Sequence, residues 1–264
     1  MTLPGNFLGK NLIFLEADAI NVKWGDLLMN THYPDWVHES SFGKWFLNTK
    51  TWVTRVIQVA LNDLVKLMDE PTRSYDTILD VGVGFGNSLW NLDQQFHPKK
   101  IIGLDVDPEI LDAAHQQAQR CDAEVELIQC NAIQIDLPDN SVDMLFCHQT
   151  FHHLVDHDAA IKEFFRVLKP GGVLLFAEST RKYIHSWIIK WLFRHPMDVQ
   201  KTAEEYVALI RETGFQLEEH NISYPYLWWS RDDLGIMQNW FRRPIPEEKE
   251  ETLINLVATK PTVH

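Results

Sequence analysis

Asp80, the glycines at 82, 84 and 86, and Asp105 form the pattern in this chain that carries the most chemistry. Ile78-Leu-Asp-Val-Gly-Val-Gly-Phe-Gly-Asn87 reads as a buried strand that ends on Asp80 and turns through three glycines into a helix. Glycine lets a backbone turn sharply and approach a ligand closely. A helix N-terminus presents unpaired N–H groups to electronegative atoms. A second apolar run, Ile101-Ile-Gly-Leu-Asp-Val-Asp107, delivers Asp105 to a neighbouring strand end, where a carboxylate can accept both hydroxyls of a ribose. The ligand described this way contains a nucleoside. The spacing is G-x-G-x-G, with Asn87 where a dinucleotide site has its third glycine, and Asp80 stands just before the turn. A carboxylate there repels a pyrophosphate and suits a cation. S-adenosylmethionine, with a sulfonium, an ammonium, a ribose, an adenine and no phosphate, is the expected cofactor.

With these residues the chain resembles the class I S-adenosylmethionine-dependent methyltransferases, especially the branch acting on small molecules and quinone or lipid precursors. Leu79-Asp-Val-Gly-Val-Gly-Phe-Gly86 resembles the family's first motif and Gly103-Leu-Asp-Val-Asp107 its ribose-binding strand. Asn131-Ala132, ahead of Asp136-Leu-Pro-Asp-Asn-Ser-Val-Asp143, resembles the adenine segment, with Asn131 where the family usually has Asp. Phe151-His-His-Leu154 resembles the loop after the fourth strand, and Leu168-Lys-Pro-Gly-Gly172 the turn before the fifth. The expected cofactor contacts are therefore Asp80, Gly82, Val83, Gly84, Gly86, Asn87, Asp105, Val106, Asn131, Ala132 and His148. The implied activity is methyl transfer to a small, apolar or aromatic molecule. The alternatives on related folds are a methyltransferase acting on RNA or protein and a nicotinamide-dependent oxidoreductase; the glycine spacing and Asp80 disfavour the latter. A silent cofactor-binding protein also fits the pattern.

The elements that must position these residues alternate. Asp107-Pro-Glu109 reads as an N-cap, a first-turn proline and a first-turn acid. Strands are expected at 124–129, 142–148, 173–177, 215–222 and 253–259, and a helix with Ile161, Phe164, Phe165 and Leu168 on one face stops at Pro170-Gly-Gly172. Thr202-x-x-Glu205 is a capping box. The fold class is α/β, a Rossmann-like parallel sheet of about seven strands with helices on both faces and an N-terminal helical lid. One methyltransferase domain is expected over 1–264: an aromatic-rich cap at 1–70, a cofactor core at 71–180 and a C-terminal half at 181–264.

Residues 1–70 are dense in aromatics, and Tyr33, Trp36, Phe42 and Trp45 are the expected substrate contacts. Thr51 to Met68 reads as a helix. In the C-terminal half, Ile184, Trp187, Ile188, Trp191 and Leu192 form a helical stripe flanked by Arg181, Lys182, Lys190 and Arg194. Burial against the rest of the protein is the expected role of that stripe, with contact at a membrane surface the alternative.

If the acceptor is a hydroxyl or a protonated amine, a general base is needed. His148, at a strand end, is the first candidate; His152 and His153 follow. His148, His152, His153 and His157 also invite a metal reading, but His148 ends a strand, so helical i, i+4 geometry does not run through the set, and no metal site is expected. Net charge of −13 argues against a nucleic-acid partner. Cys121, Cys130 and Cys147 make no C-x-x-C pair and read as free thiols in a reducing compartment; with no basic, apolar leader at the N-terminus the expected location is cytoplasmic.

Overall fold

The computed structural model describes residue 37 and residues 39–231, 233–248 and 251–262. Tyr33 and Trp36, and with them most of the expected lid, lie outside the described residues.

Seven strands form one sheet in the order β3-β2-β1-β4-β5-β7-β6. They are β1 (Thr77–Val81), β2 (Lys100–Asp105), β3 (Glu124–Gln129), β4 (Val142–His148), β5 (Leu168–Ser179), β6 (Ile222–Ser223) and β7 (Leu253–Thr259). The first five run parallel, whereas β7 is antiparallel to both β5 and β6. The order reverses between β1 and β4, and a parallel sheet opens a crevice at the C-terminal ends of its strands at such a switch point. Asp80, Asp105 and His148 all sit at those ends.

Strand residues alternate between two cores, as a period of two requires. Leu79, Val81, Leu145 and Phe176 point to one face, where they meet Ile161 and Phe164 of α6 (His157–Val167) and Tyr206 and Ile210 of α9 (Ala203–Glu212). Ile78, Ile101, Met144 and Leu175 point to the other face and meet α3 (Gln58–Leu67), α4 (Leu89–Phe96) and α5 (Pro108–Ala118). Burial on both faces is what lets the central strands read as continuous apolar runs. Asp107 caps α5 by accepting from Glu109 N at 3.1 Å, and the Thr202–Glu205 box caps α9.

Two expectations are corrected, the sixth strand and the stripe at 184–192. The sixth strand is not 215–222. Gln216 pairs only singly with Thr259, and Glu218 and Asn221 then cap each other across a 3₁₀ turn (Glu219–Asn221) while Asn221 Nδ2 reaches Leu67 O at 2.9 Å. Pairing resumes only at Ile222 and Ser223. The helix expected over Thr51–Met68 is present and runs unbroken from Lys50 to Leu67, as α2 (Lys50–Trp52), a π-helical stretch at Val53–Ile57, and α3.

The stripe at 184–192 is not one helix. Extended Ser186 separates α7 (Arg181–Ile184) from α8 (Trp187–Leu192), which resets the helical phase. Ile184 and Ile189 are buried, while Trp187 and Trp191 are 70% and 79% exposed. Upstream, α1 (Ser41–Leu47) is capped by Ser40 and packs Phe42 and Phe46 edge-on against Phe193. Among the described residues no helix is long and apolar enough to cross a membrane.

Candidate functional site

The turn after β1 is built around glycines with positive φ: Gly82 at 70°, Gly84 at 54° and Gly86 at 77°. Gly82 N and Val83 N both donate to Leu104 O at 2.9 Å, which ties the turn to β2. A Cβ on Gly82 would lie 2.2 Å from Thr150, and one on Gly86 would press on Ala114 and Gln117 of α5. A Cβ on Gly84 would instead enter open space. That space is a cavity of about 1070 Å³ including its mouth. Asp80, Gly82, Val83, Gly84, Asn87, Asp105, Val106, Ala132 and His148 all line it, as do Trp52, Phe146, Ser88 and Lys44. Two of the expected contacts are placed elsewhere. Gly86 serves helix packing, and Asn131 turns its Oδ1 onto Ile133 N at 3.2 Å.

Two carboxylates dominate the electrostatics of this cavity. Asp105 holds Gly84 N at 3.0 Å and Asp107 N at 3.1 Å, yet burial still raises its pKa. Asp80 is 2% exposed and accepts from Ser88 Oγ. Burial, with the charge of Asp105 added, pushes its pKa up to about 7. Lys44 pairs with Asp107 at 3.0 Å, and among the described residues no cation pairs with Asp80 or Asp105. A cationic ligand without phosphate, passing close over Gly84, would relieve both carboxylates and fill the open space. The residues present therefore fit S-adenosylmethionine.

A second cavity, about 1010 Å³ with its mouth, shares Glu39, Leu47, Trp52, Gln149 and His153 with the first. Its walls come from three separate stretches: Phe42 and Phe46 of α1; Tyr183, Ile184, Ile189, Leu192 and Phe193 around α7 and α8; and Trp228, Trp229 and Leu234. Of the expected substrate contacts, Phe42 lines it and Trp45 does not, being 63% exposed.

Where the two cavities meet stands a group of histidines. Glu178, fully buried at the end of β5, accepts from Thr150 N and Phe151 N, both at 2.8 Å, through one oxygen. Its other oxygen lies 2.6 Å from His152 Nδ1. A buried carboxylate is tolerated when its lone pairs are filled this way. The pairing fixes the His152 ring. His153 and His195 stack at 4.8 Å, and His195 lies 5.0 Å from His152, ring centre to ring centre. Burial, with the neighbouring histidines adding to it, holds His153 and His195 well below the usual imidazole pKa, so both are neutral. Their Nδ1 atoms are buried without a partner. Ligating nitrogens of all three rings fall within 4.8 Å of one another, so His152, His153 and His195 could hold one metal ion.

His148 faces the cofactor cavity, stacked on Phe146 at 5.8 Å, and burial lowers its pKa to about 4. His157 is a core residue stacked on Phe151 at 4.7 Å. Sequence reasoning missed Glu178 and His195. An acid closing an otherwise apolar buried strand was a readable signal for Glu178, since such acids are seldom buried unpaired; His195 gave none.

Residues 79–176 match a family model described as a methyltransferase domain. An uncharacterized methyltransferase-like protein of Schizosaccharomyces pombe is 38% identical over 113 residues, 43% of this chain and 42% of its own. A phosphoethanolamine N-methyltransferase of Triticum aestivum is 27% identical over 187 residues, 70% of this chain and 31% of its own. A demethylmenaquinone methyltransferase of Deinococcus radiodurans is 32% identical over 101 residues, 38% of this chain and 42% of its own. The chain spans less than half the length of each of these relatives. The fold is shared with a Haloferax volcanii methyltransferase solved with its Trm112 activator, at a TM-score of 0.62 and 20% identity over 84% of this chain and 97% of that one. The strand order, the glycine turn beside Asp80 and Asp105, and the match over residues 79–176 agree: this segment is similar to a methyltransferase domain, and the chain shares its fold with S-adenosylmethionine-dependent methyltransferases.

Proposed function

We propose that the protein methylates a small apolar or aromatic molecule bearing an ionisable hydroxyl, held in the second cavity, with His152 as the base. The observation that carries this reading is His152, held by the buried Glu178 behind it, in the wall of an aromatic cavity that shares residues with the cofactor cavity. S-adenosylmethionine, when bound, supplies an activated methyl group on a cationic sulfur. Asp80 and Asp105 balance its charge and hold its ribose, and the Gly84 turn approaches it without a side chain between. Phe42, Phe46, Trp52 and Trp228 exclude water and align the acceptor. His152 Nε2 takes the hydroxyl proton; Glu178 keeps Nδ1–H as donor and balances the imidazolium.

Among the described residues no lysine or arginine lines the second cavity, which disfavours a phosphorylated acceptor such as phosphoethanolamine. Of the three histidines named as base candidates, only His152 has a carboxylate to orient it at hydrogen-bond distance. His148, its pKa lowered to about 4, serves as a neutral wall of the cofactor cavity.

The test begins with calorimetry using S-adenosylmethionine and NADH; the first is expected to bind and the second not. S-adenosylhomocysteine release is then followed with hydroquinones and phenols, with phosphoethanolamine, and with RNA. Turnover with the first group alone supports the reading. Turnover only with phosphoethanolamine or RNA, or binding of NADH alone, overturns it.

A further inference from the structure

The charges of this chain are segregated, and the segregation follows the second cavity. Residues 40–62 contain Lys44, Lys50 and Arg55 and no acid. Residues 181–197 contain Arg181, Lys182, Lys190 and Arg194 and no acid. Residues 234–246 contain Arg242 and Arg243 and no acid. These three stretches hold nine of the 24 lysines and arginines and none of the 37 acids in a chain of net charge −13. Each of them also supplies a wall of the second cavity, through Phe46, Ile189 and Leu234 among others.

The same stretches carry the exposed apolar surface. Trp45, Trp187, Trp191, Trp240 and Phe241 are 63%, 70%, 79%, 78% and 65% exposed, and Ile245 is 54% exposed. Elsewhere among the described residues the exposed large apolar side chains are only Trp90, Tyr224 and Trp228, and Trp228 lines the cavity. Phe42 and Trp228, cavity residues that are 40% and 47% exposed, stand at its mouth. The cations are not used up within the fold. Lys44 and Arg181 pair with Asp107 and Glu205, but Lys190, Arg194, Arg242 and Arg243 are exposed and form no ion pair among the described residues.

Surface tryptophans with adjacent lysines and arginines, lying on an otherwise acidic molecule, match the interface of an anionic bilayer. The rings seat at headgroup depth and the cations meet anionic lipid. Like charges elsewhere on the molecule would be repelled by the same surface, which fixes the orientation. We propose that residues 40–62, 181–197 and 234–246 dock on an anionic lipid surface and that the second cavity receives its acceptor, a membrane-resident amphiphile, from that side. The identity of the acceptor rests on the function proposed above; the docking does not.

The test is co-sedimentation of the full chain with vesicles of phosphatidylcholine alone or with about one lipid in three replaced by phosphatidylglycerol. Binding is expected to the anionic vesicles and to weaken in about 0.5 M salt, where charges are screened. Trp187→Ser/Trp191→Ser and Lys190→Glu/Arg194→Glu should each weaken it by about tenfold or more. Trp90→Ser, which removes an exposed tryptophan of α4 outside the three stretches, should leave it unchanged. No vesicle binding by the unaltered chain overturns the proposal, as does binding that both double variants retain. So does sedimentation velocity showing a dimer that Trp187→Ser/Trp191→Ser dissociates, or a short RNA bound in place of vesicles, because the face then serves a second copy or a nucleic acid.

Calorimetry with S-adenosylhomocysteine on the same variants keeps the two readings apart. Vesicle binding without cofactor affinity sinks the methyl-transfer reading and leaves the docking. Cofactor affinity without vesicle binding does the reverse.

Discussion

The two cavities that meet at His153 are made in different ways. The cofactor cavity is written in backbone: three glycines at positive φ, two strand ends, and N–H groups that close on Asp105. The second cavity, proposed above to hold the acceptor, is written in side chains, aromatic rings and aliphatic groups from stretches far apart in the sequence. A site made of backbone leaves few solutions, because only glycine tolerates the turn and only a carboxylate suits the strand end. A site made of packed rings has many solutions, because apolar contact is non-directional. The first kind of site therefore fixes one ligand, and the second can be reshaped for different acceptors on an unchanged sheet.

The comparison breaks most visibly at Gly84. With φ at 54° and open cavity beyond, Gly84→Val should cut S-adenosylhomocysteine affinity by more than about a hundredfold while circular dichroism stays native. Retained binding in calorimetry would mean that the turn does not touch the ligand.

Between the cavities, Glu178→Gln should lower kcat by about a hundredfold, with cofactor affinity unchanged. The amide would donate to His152 Nδ1, move the ring proton to Nε2 and remove the acceptor that the proposed reaction needs. His152→Ala should cost about as much, and the double variant little more, because the two residues act as a unit. Unaltered turnover in both variants would assign the pair to structure alone.

In the second cavity, if it holds the acceptor as proposed, Trp228→Ala should raise the acceptor KM by about tenfold and leave cofactor affinity alone, since one ring is lost from an apolar wall. A change in cofactor affinity instead would erase the division between the cavities.

The smallest effect concerns Asp80. Its pKa of about 7 in the native protein lies above the ordinary 3.8, so its contribution to stability is fully present below about pH 4 and is lost as pH rises through 7. Affinity for the cationic cofactor runs the other way and should be about fourfold higher at pH 8 than at pH 6.5, as the carboxylate ionises. Calorimetry of the unaltered chain against Asp80→Asn separates this group from the others; an identical pH dependence in both would remove Asp80 from the site.

How much could be read before folding follows the same division. The Asp80–Gly86 turn, Asp105, the Asp107 cap and strands β3 and β4 were legible because each depends on neighbours in sequence. For Glu178 the buried acid at a strand end was readable, but its role was not, because its partners Thr150, Phe151 and His152 lie on another loop. Trp187 and Trp191 were expected inside. Only Ser186, extended in the middle of an apolar run, turns them outward, and helical periodicity cannot register one non-helical residue. The sixth strand failed for a related reason, since the mutual capping of Glu218 and Asn221 outbids the sheet edge over a few residues.

Thr150 packs into the place that a Cβ on Gly82 would occupy, and its own N–H is held by Glu178. The turn that receives the cofactor and the loop that carries His152 are thus in direct mechanical register. If a shift of one displaces the other, occupancy of either cavity changes the free energy of filling its neighbour. Linkage makes that effect reciprocal: whatever factor the cofactor applies to acceptor binding, the acceptor returns to the cofactor.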